Sequence, residues 1–156
     1  MKEKKLIVIQ GLPGCGKSTL AEMLAPTEAI CTTDDYEGLY TFGEKVVWNG
    51  MTKRDGVPLI AHAHHWNQSK ASCLMQEGVA VVVVPNTNTQ RWEFEPYINM
   101  AKEHGYEIVV ISLFDGGLTD KELSERNTHG VTEKTIARMR KRYEHDWRNG
   151  NPVSPH

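Results

Sequence analysis

The chain has 156 residues, with 18 Lys and Arg against 20 Asp and Glu and a formal net charge of −2, so any contact with nucleic acid must come from a local basic patch and not from the overall field. That length fits one domain (residues 1–148, with a flexible tail at 149–156) whose core buries about two-thirds of the unfolded surface. Cys15, Cys31 and Cys73 show neither C-x-x-C spacing nor a disulfide framework, and no apolar run approaches the roughly 18 residues of a membrane span. The expectation is a soluble cytoplasmic protein with no membrane partner and no obligate protein partner.

A first strand is predicted over residues 5–10. It runs into Gly11-Leu12-Pro13-Gly14-Cys15-Gly16-Lys17-Ser18-Thr19, which fits the phosphate-loop pattern G-x-x-x-x-G-K-[ST] in the required setting, between a strand and a helix. The glycines let the backbone curl until successive N–H groups point inward, and with the N-terminus of the next helix they form an anion site. Gly11, Pro13, Gly14, Cys15, Gly16, Lys17, Ser18 and Thr19 are therefore the candidate binding residues for ATP or GTP. In this pattern the lysine reaches the β- and γ-phosphates, and Ser18 is placed to ligate Mg²⁺.

A helix over 17–25 should bury Leu20, Met23 and Leu24, and Pro26 stops it. A short strand at 29–32 delivers Asp34 and Asp35 to its carboxyl end, the edge where open α/β sheets bind ligands. Across 36–58 the periodicity dissolves into a long loop in which Tyr40, Phe42 and Trp48 lie among glycines, Lys45, Lys53 and Arg54. Such a mixture suits base stacking and phosphate contact, and it equally suits aromatics that tack a loop onto the body. A helix over 59–77, ended by Gly78, carries His62, His64 and His65; no Cys or Glu completes a zinc set at a usual spacing. His62, His65, Trp66 and Ser69 share a face that lines a groove or packs under the sheet.

The β-branched run at 79–84 reads as a central parallel strand covered on both faces. It ends at Pro85 and Asn86, where many phosphate-loop proteins place a carboxylate for the Mg²⁺ shell. Thr89 is a candidate cap for a helix whose regular part spans 95–104, with Pro96 tolerable in the first turn. A last strand at 107–113 follows. Thr119 with Glu122 then forms a capping box, and Leu118 with Leu123 a hydrophobic staple, on a short helix holding Arg126 and Asn127. Thr132 caps a final helix to about residue 147, with Ile136, Met139 and Tyr143 inward and Arg138, Lys141 and Arg142 outside. Strands alternating with helices give a parallel sheet of about four strands with right-handed crossovers, an α/β three-layer sandwich with a helical lid.

Five stretches in this order resemble the P-loop nucleic-acid kinases: Gly11 to Thr19, Thr33-Asp34-Asp35-Tyr36, Ala63-His64-His65-Trp66-Asn67-Gln68, Asn86-Thr87-Asn88 with Trp92-Glu93 and Pro96-Tyr97, and Glu125-Arg126-Asn127-Thr128-His129-Gly130-Val131. These kinases are relatives of the phage polynucleotide 5′-kinase domain. The resemblance implies a kinase-type P-loop NTPase fold and phosphoryl transfer from ATP to a hydroxyl on DNA or RNA, with DNA placed first. It makes Asp34 the general base, a role that a carboxylate across from the phosphate loop also fits on chemical grounds. It makes Lys17 a catalytic residue and Arg126 a lid arginine that steadies the transferring charge; a surface salt bridge within its own helix is the alternative. Asp35, Tyr36, Glu37, His64, Trp66, Asn86 and Asn88 are the matching candidates for substrate binding, with a turn cap as the alternative for Asp35.

Two departures separate the chain from the 5′-end kinases. They usually carry an Arg three residues after the catalytic Asp, holding a phosphate of the acceptor strand; here stands Glu37. Their second lid arginine has no clear counterpart, with His129, Arg138 and Arg142 as candidates. A similar phage branch phosphorylates the hydroxymethyl group of 5-hydroxymethyluracil in DNA. The acceptor expectation leans to that base group, with the polynucleotide 5′-hydroxyl next. A small-molecule or nucleoside kinase and a non-catalytic nucleotide-binding adaptor stand as further alternatives.

Overall fold

The computed structural model describes residues 3–145; the end of the last predicted helix near residue 147, Arg148 and the predicted flexible tail lie outside them. Its elements in order are β1 (Lys5–Gly11), α1 (Lys17–Leu24), β2 (Tyr40–Thr41), β3 (Val47–Trp48), β4 (Lys53–Arg54), β5 (Val57–Pro58), α2 (Leu59–Gln76), β6 (Val81–Val84), α3 (Arg91–Glu103), β7 (Glu107–Phe114), α4 (Asp120–Arg126) and α5 (Glu133–Arg142).

Strand alternation builds the three layers. Leu6 and Val8 of β1 point to one face of the sheet, where Val82 and Val84 join them under Ala71 and Met75 of α2 and Phe94, Tyr97 and Ala101 of α3. Ile7 and Ile9 point to the other face with Val83, covered by Ala21, Leu20 and Leu24 of α1. Small Ala21 brings α1 close to the sheet and leaves Met23, expected inward, exposed.

The sheet is parallel with order β6-β1-β7. The phosphate-loop strand is therefore central, and the valine run predicted for that place sits beside it. The strand expected at 29–32 is reduced to one parallel bridge, Ile30 to Val83. The cause is local competition. Lys70 Nζ of α2 takes the Ile30 carbonyl at 2.7 Å, and Asn67 Nδ2 takes the Cys31 carbonyl at 3.0 Å. With its acceptors held by helix side chains, the segment does not extend into a ladder.

Helix α2 buries Leu59, Ala63, Asn67, Ala71 and Met75, one residue every four. The predicted face of His62, His65, Trp66 and Ser69 does not pack under the sheet, because the alanines give the closer approach; His65 and Ser69 are exposed, and of the four His65 and Trp66 line hollows. Helix α3 starts at Arg91, four residues before the predicted Glu95, and carries Pro96 inside it. Glu93 explains the early start. Its carboxylate accepts from the Thr89 backbone N–H at 3.1 Å and from the Thr89 hydroxyl at 2.8 Å, which fixes the first turn from within. Thr89 thus serves as donor to Glu93, and the N-cap position falls to Gln90.

The predicted capping box of Thr119 and Glu122 is present, and Leu118 packs against Leu123. Thr132 caps α5 by accepting from the Thr135 N–H. Leu12, Leu123, Ile136 and Tyr143 form a small core that docks α4 and α5 on the phosphate loop. Arg140 tightens it, giving 2.8 Å to Asp120 and 2.7 Å to Asp115. Among the described residues no helix is long and apolar enough to cross a membrane.

Candidate functional site

Strand β1 ends in a register shift between Gln10 and Gly11 that pairs Gly11 with Phe114, and the chain then turns through residues 12–16 into α1. The turn needs glycine. Gly14 and Gly16 hold φ of 83° and 104°, in the left-handed region. A Cβ on Gly14 would also lie 2.5 Å from the Leu123 carbonyl oxygen and 3.3 Å from the Asn127 nitrogen. Glycine there lets the lid helix α4 rest directly on the loop.

Lys17 Nζ donates to the Leu12 carbonyl at 3.0 Å. Burial pulls its pKa below the ordinary lysine value, against the pull of Cys15 and Asp34. A bound polyphosphate would add counter-charge beside this desolvated ammonium, and a Cβ on Gly16 would meet nothing within 4 Å. The loop therefore fits a nucleotide's phosphates. Exposed Ser18 and Thr19 face the same space, Ser18 with a hydroxyl suited to Mg²⁺. Cys15 lies beside the loop, its thiol pushed up chiefly by burial, and its sulfur packs where a side chain on Gly11 would go.

The loop forms the floor of a cavity of about 1180 Å³, larger than the ~300–1,000 Å³ of a site for one drug-sized ligand. Asp34 lines the same cavity, near enough for its charge to act on Lys17, delivered by a tight turn at Thr33–Asp35 in which the Thr32 hydroxyl accepts from the Asp34 N–H. The Thr33 N–H donates to Asn86 Oδ1 at 3.1 Å, tying that turn to the end of β6. His129 Nε2 stands 3.7 Å from Asp34 Oδ2. Tyr40 hydrogen-bonds the same carboxylate; burial first, then that charge and bond, push its phenol far up, so it stays a donor. Tyr40 and His129 also stack, with centroids 4.7 Å apart.

The roof comes from the lid. Asn127 folds residues 127–131: its amide donates to the carbonyls of Leu123, Ser124 and Val131, and its Oδ1 accepts from His129 and Val131 N–H. Arg126 lines the cavity and is in no ion pair among the described residues; its own-helix neighbour Glu122 is taken by Thr119. Arg142 also lines the cavity and donates to the Thr89 hydroxyl at 3.2 Å, whereas Arg138 bonds Thr135 within its own helix. Two of the three candidates for the second lid cation, His129 and Arg142, thus reach the site.

Of the candidate substrate residues, His64, Asn86 and Asn88 line this cavity. Burial lowers the His64 pKa, opposed by Glu93. Asn88 is buried in the floor, where its amide bridges the Ile9 and Val84 carbonyls at 3.0 and 3.3 Å. Asp35, Tyr36, Glu37 and Trp66 lie apart, around a second hollow of about 400 Å³ shared with Arg54. The sequence did not single out the Tyr40–Asp34–His129 contact, nor Thr135 in the cavity wall, and it offered Glu93 only within the Trp92-Glu93 pair of the resemblance.

The chain matches the AAA domain family over residues 6–145. It is 35% identical over 147 residues to NEDD4-binding protein 2 of Homo sapiens, covering 89% of this chain and 8% of that protein. It is 24% identical over 149 residues to the 2′,3′-cyclic-nucleotide 3′-phosphodiesterase of Pongo abelii, covering 92% of this chain and 32% of that protein. Among solved structures, a chain of the Pnkp1/Rnl/Hen1 RNA repair complex shares the fold with a TM-score of 0.64 at 17% identity, over 91% of this chain and 44% of that one. This chain thus spans less than half the length of each.

Proposed function

We propose, from the premise that this chain belongs to the AAA domain family, that it is a phosphotransferase moving the γ-phosphate of ATP or GTP to a hydroxyl of a nucleic acid, the 5′-terminal hydroxyl first. The observation that carries the reading is the shared cavity: phosphate-loop residues, Asp34, Arg126 and His129 all line one space. Phosphoryl transfer needs little else, because positioning and charge stabilisation supply most of its rate.

In the proposed step the acceptor oxygen attacks the γ-phosphorus and gives its proton to Asp34. The bond to the bridging oxygen breaks, and the diphosphate leaves with that oxygen's electrons. Lys17 holds the β- and γ-phosphates, and Arg126 meets charge on the moving group. The Ser18 hydroxyl, which lines the cavity, would hold a Mg²⁺ ion, and that ion would supply charge neutralisation for the phosphate oxygens.

Glu37, whose charge argued against a terminal phosphate, lines the second hollow and not this cavity, which moves the end hydroxyl ahead of the base hydroxymethyl group. The names of two relatives, an RNA repair complex and a cyclic-nucleotide phosphodiesterase, support a nucleotide or RNA acceptor as readily as DNA. One observation favours the second reading: Tyr40, Trp48 and His64 wall the cavity, as a flipped base requires.

The test is transfer of γ-label with Mg²⁺ into matched RNA and DNA bearing 5′-hydroxyls, and into 5′-blocked DNA containing 5-hydroxymethyluracil. Label in the free ends supports the first reading. Label in the blocked DNA alone replaces it with the second, and no label in any overturns both.

A further inference from the structure

The second hollow lies immediately behind Asp34. Asp34 and Asp35 have Cα atoms about 3.8 Å apart, yet one lines the large cavity and the other the hollow of about 400 Å³. A strand whose end hydroxyl meets Asp34 can therefore reach the hollow with its next nucleotide.

The walls have the parts that hold an unstacked base. Tyr36 and Trp66 stand with ring centroids 5.8 Å apart and planes at 59°, and the Arg54 guanidinium lies 5.3 Å from the Tyr36 ring centre. Aromatic rings and arginine planes are the surfaces on which single-stranded bases stack. Lys70, held by the Ile30 carbonyl, lies with its Nζ 5.9 Å from the Trp66 ring centre. Beside these rings, Asp35 and Glu37 are exposed carboxylates, and among the described residues neither they nor Arg54 form an ion pair.

An ionised carboxylate only accepts hydrogen bonds. It therefore selects a base edge with adjacent N–H donors, and guanine, with its ring N–H and exocyclic amino group side by side, matches both oxygens of one carboxylate. Uracil and thymine offer one ring N–H flanked by acceptors, which a carboxylate repels.

We infer that Tyr36, Glu37, Arg54 and Trp66 form a base-binding subsite for the nucleotide that follows the acceptor, with Glu37 selecting guanine. This rests on the nucleic-acid reading above and makes Glu37 a specificity residue in place of a phosphate clamp.

The experiment measures Kd and transfer rate for 5′-hydroxyl tetranucleotides, RNA and DNA, that differ only in the second base: guanine, inosine, adenine, or uracil or thymine. Guanine should bind about 5- to 10-fold more tightly than uracil or thymine, the low end for a bidentate contact because the hollow is open. Inosine, which lacks the amino group, should fall between. Glu37→Gln, a change at an exposed position, should move the preference from guanine toward adenine, the base that a side-chain amide pairs with. Arg54→Ala should weaken all four by about 2- to 5-fold. Guanine preference in Kd without label transfer would retain the subsite and remove the kinase reading. Equal Kd for every second base, a preference unmoved by Glu37→Gln, or no binding at all would overturn the subsite.

Discussion

His129 Nε2 lies 3.7 Å from Asp34 Oδ2, joining the lid loop to the carboxylate that faces the phosphate loop. Tyr40 holds that carboxylate from a third direction. Because fold contacts at Asp34 are polar and at the surface of the cavity, Asp34→Asn should leave folding and nucleotide affinity intact and slow transfer by about 10²- to 10⁴-fold, the usual worth of a general base. Lys17→Ala should instead lose nucleotide affinity. Single-turnover transfer alongside nucleotide titration separates the two, and an Asp34→Asn enzyme of wild-type rate would remove the assignment.

The lid rests on Gly14, and that contact has a size test. Gly14→Ala places a methyl group 2.5 Å from the Leu123 carbonyl oxygen at a φ of 83°. Gly38→Ala carries similar backbone strain at a φ of 90°, but into open space. Strain alone costs about 1–3 kcal/mol. Gly14→Ala should therefore lose more stability than Gly38→Ala in urea unfolding, and it alone should weaken nucleotide binding, since the lid must move. Equal losses at the two positions would mean that α4 does not bear on the loop.

What the sequence made legible was local. The phosphate loop, the capping box at Thr119 and the cap at Thr132 are all set by residues within a few positions of one another, and the structure has each. The edge segment at 29–32 was misread because its fate depends on Asn67 and Lys70, on a helix far along the chain, which take its carbonyls. Likewise the buried stripe of α2 follows its alanines and Asn67, where hydrophobic and histidine patterning pointed to another face. Tyr36 fell outside the main cavity because the turn at Thr33–Asp35 sends successive side chains to opposite sides, a geometry that spacing does not encode; Trp66 fell outside it because α2 turns Ile60, Ala61, His64 and Gln68 to that cavity.

Three thiols should react in a fixed order. Cys73 is exposed, Cys15 is half-buried with its pKa pushed up, and Cys31 is fully buried with its pKa raised to about 11. Because the thiolate is the reactive form, a small alkylating agent at neutral pH should modify Cys73 first with no loss of nucleotide affinity. Modification of Cys15 should be slower and should abolish binding, since the adduct fills the space beside Gly11. Mass mapping with parallel nucleotide titration checks this; a Cys15 adduct of normal affinity refutes it.

Arg140 links α5 to Asp115 and Asp120 and also donates to the Leu118 carbonyl. Burial alone would raise the Asp115 pKa, but the Arg140 bond and charge and the Gly117 N–H hold it below its ordinary 3.8. A carboxyl depressed in the folded state stabilises fully above its unfolded pKa, and that contribution fades as pH falls through the folded value. Arg140→Ala should thus cost about 1–2 kcal/mol near pH 7, discounted for partial exposure. The deficit should shrink below about pH 3.5, where Asp115 in the unfolded chain is already mostly protonated. A part should survive in acid, because the Leu118 bond and the Phe114 ring, 5.1 Å from the guanidinium, do not titrate. Urea midpoints of both proteins across pH 2.5–7 give the difference directly, and a deficit independent of pH would show that Asp115 is not part of the clamp.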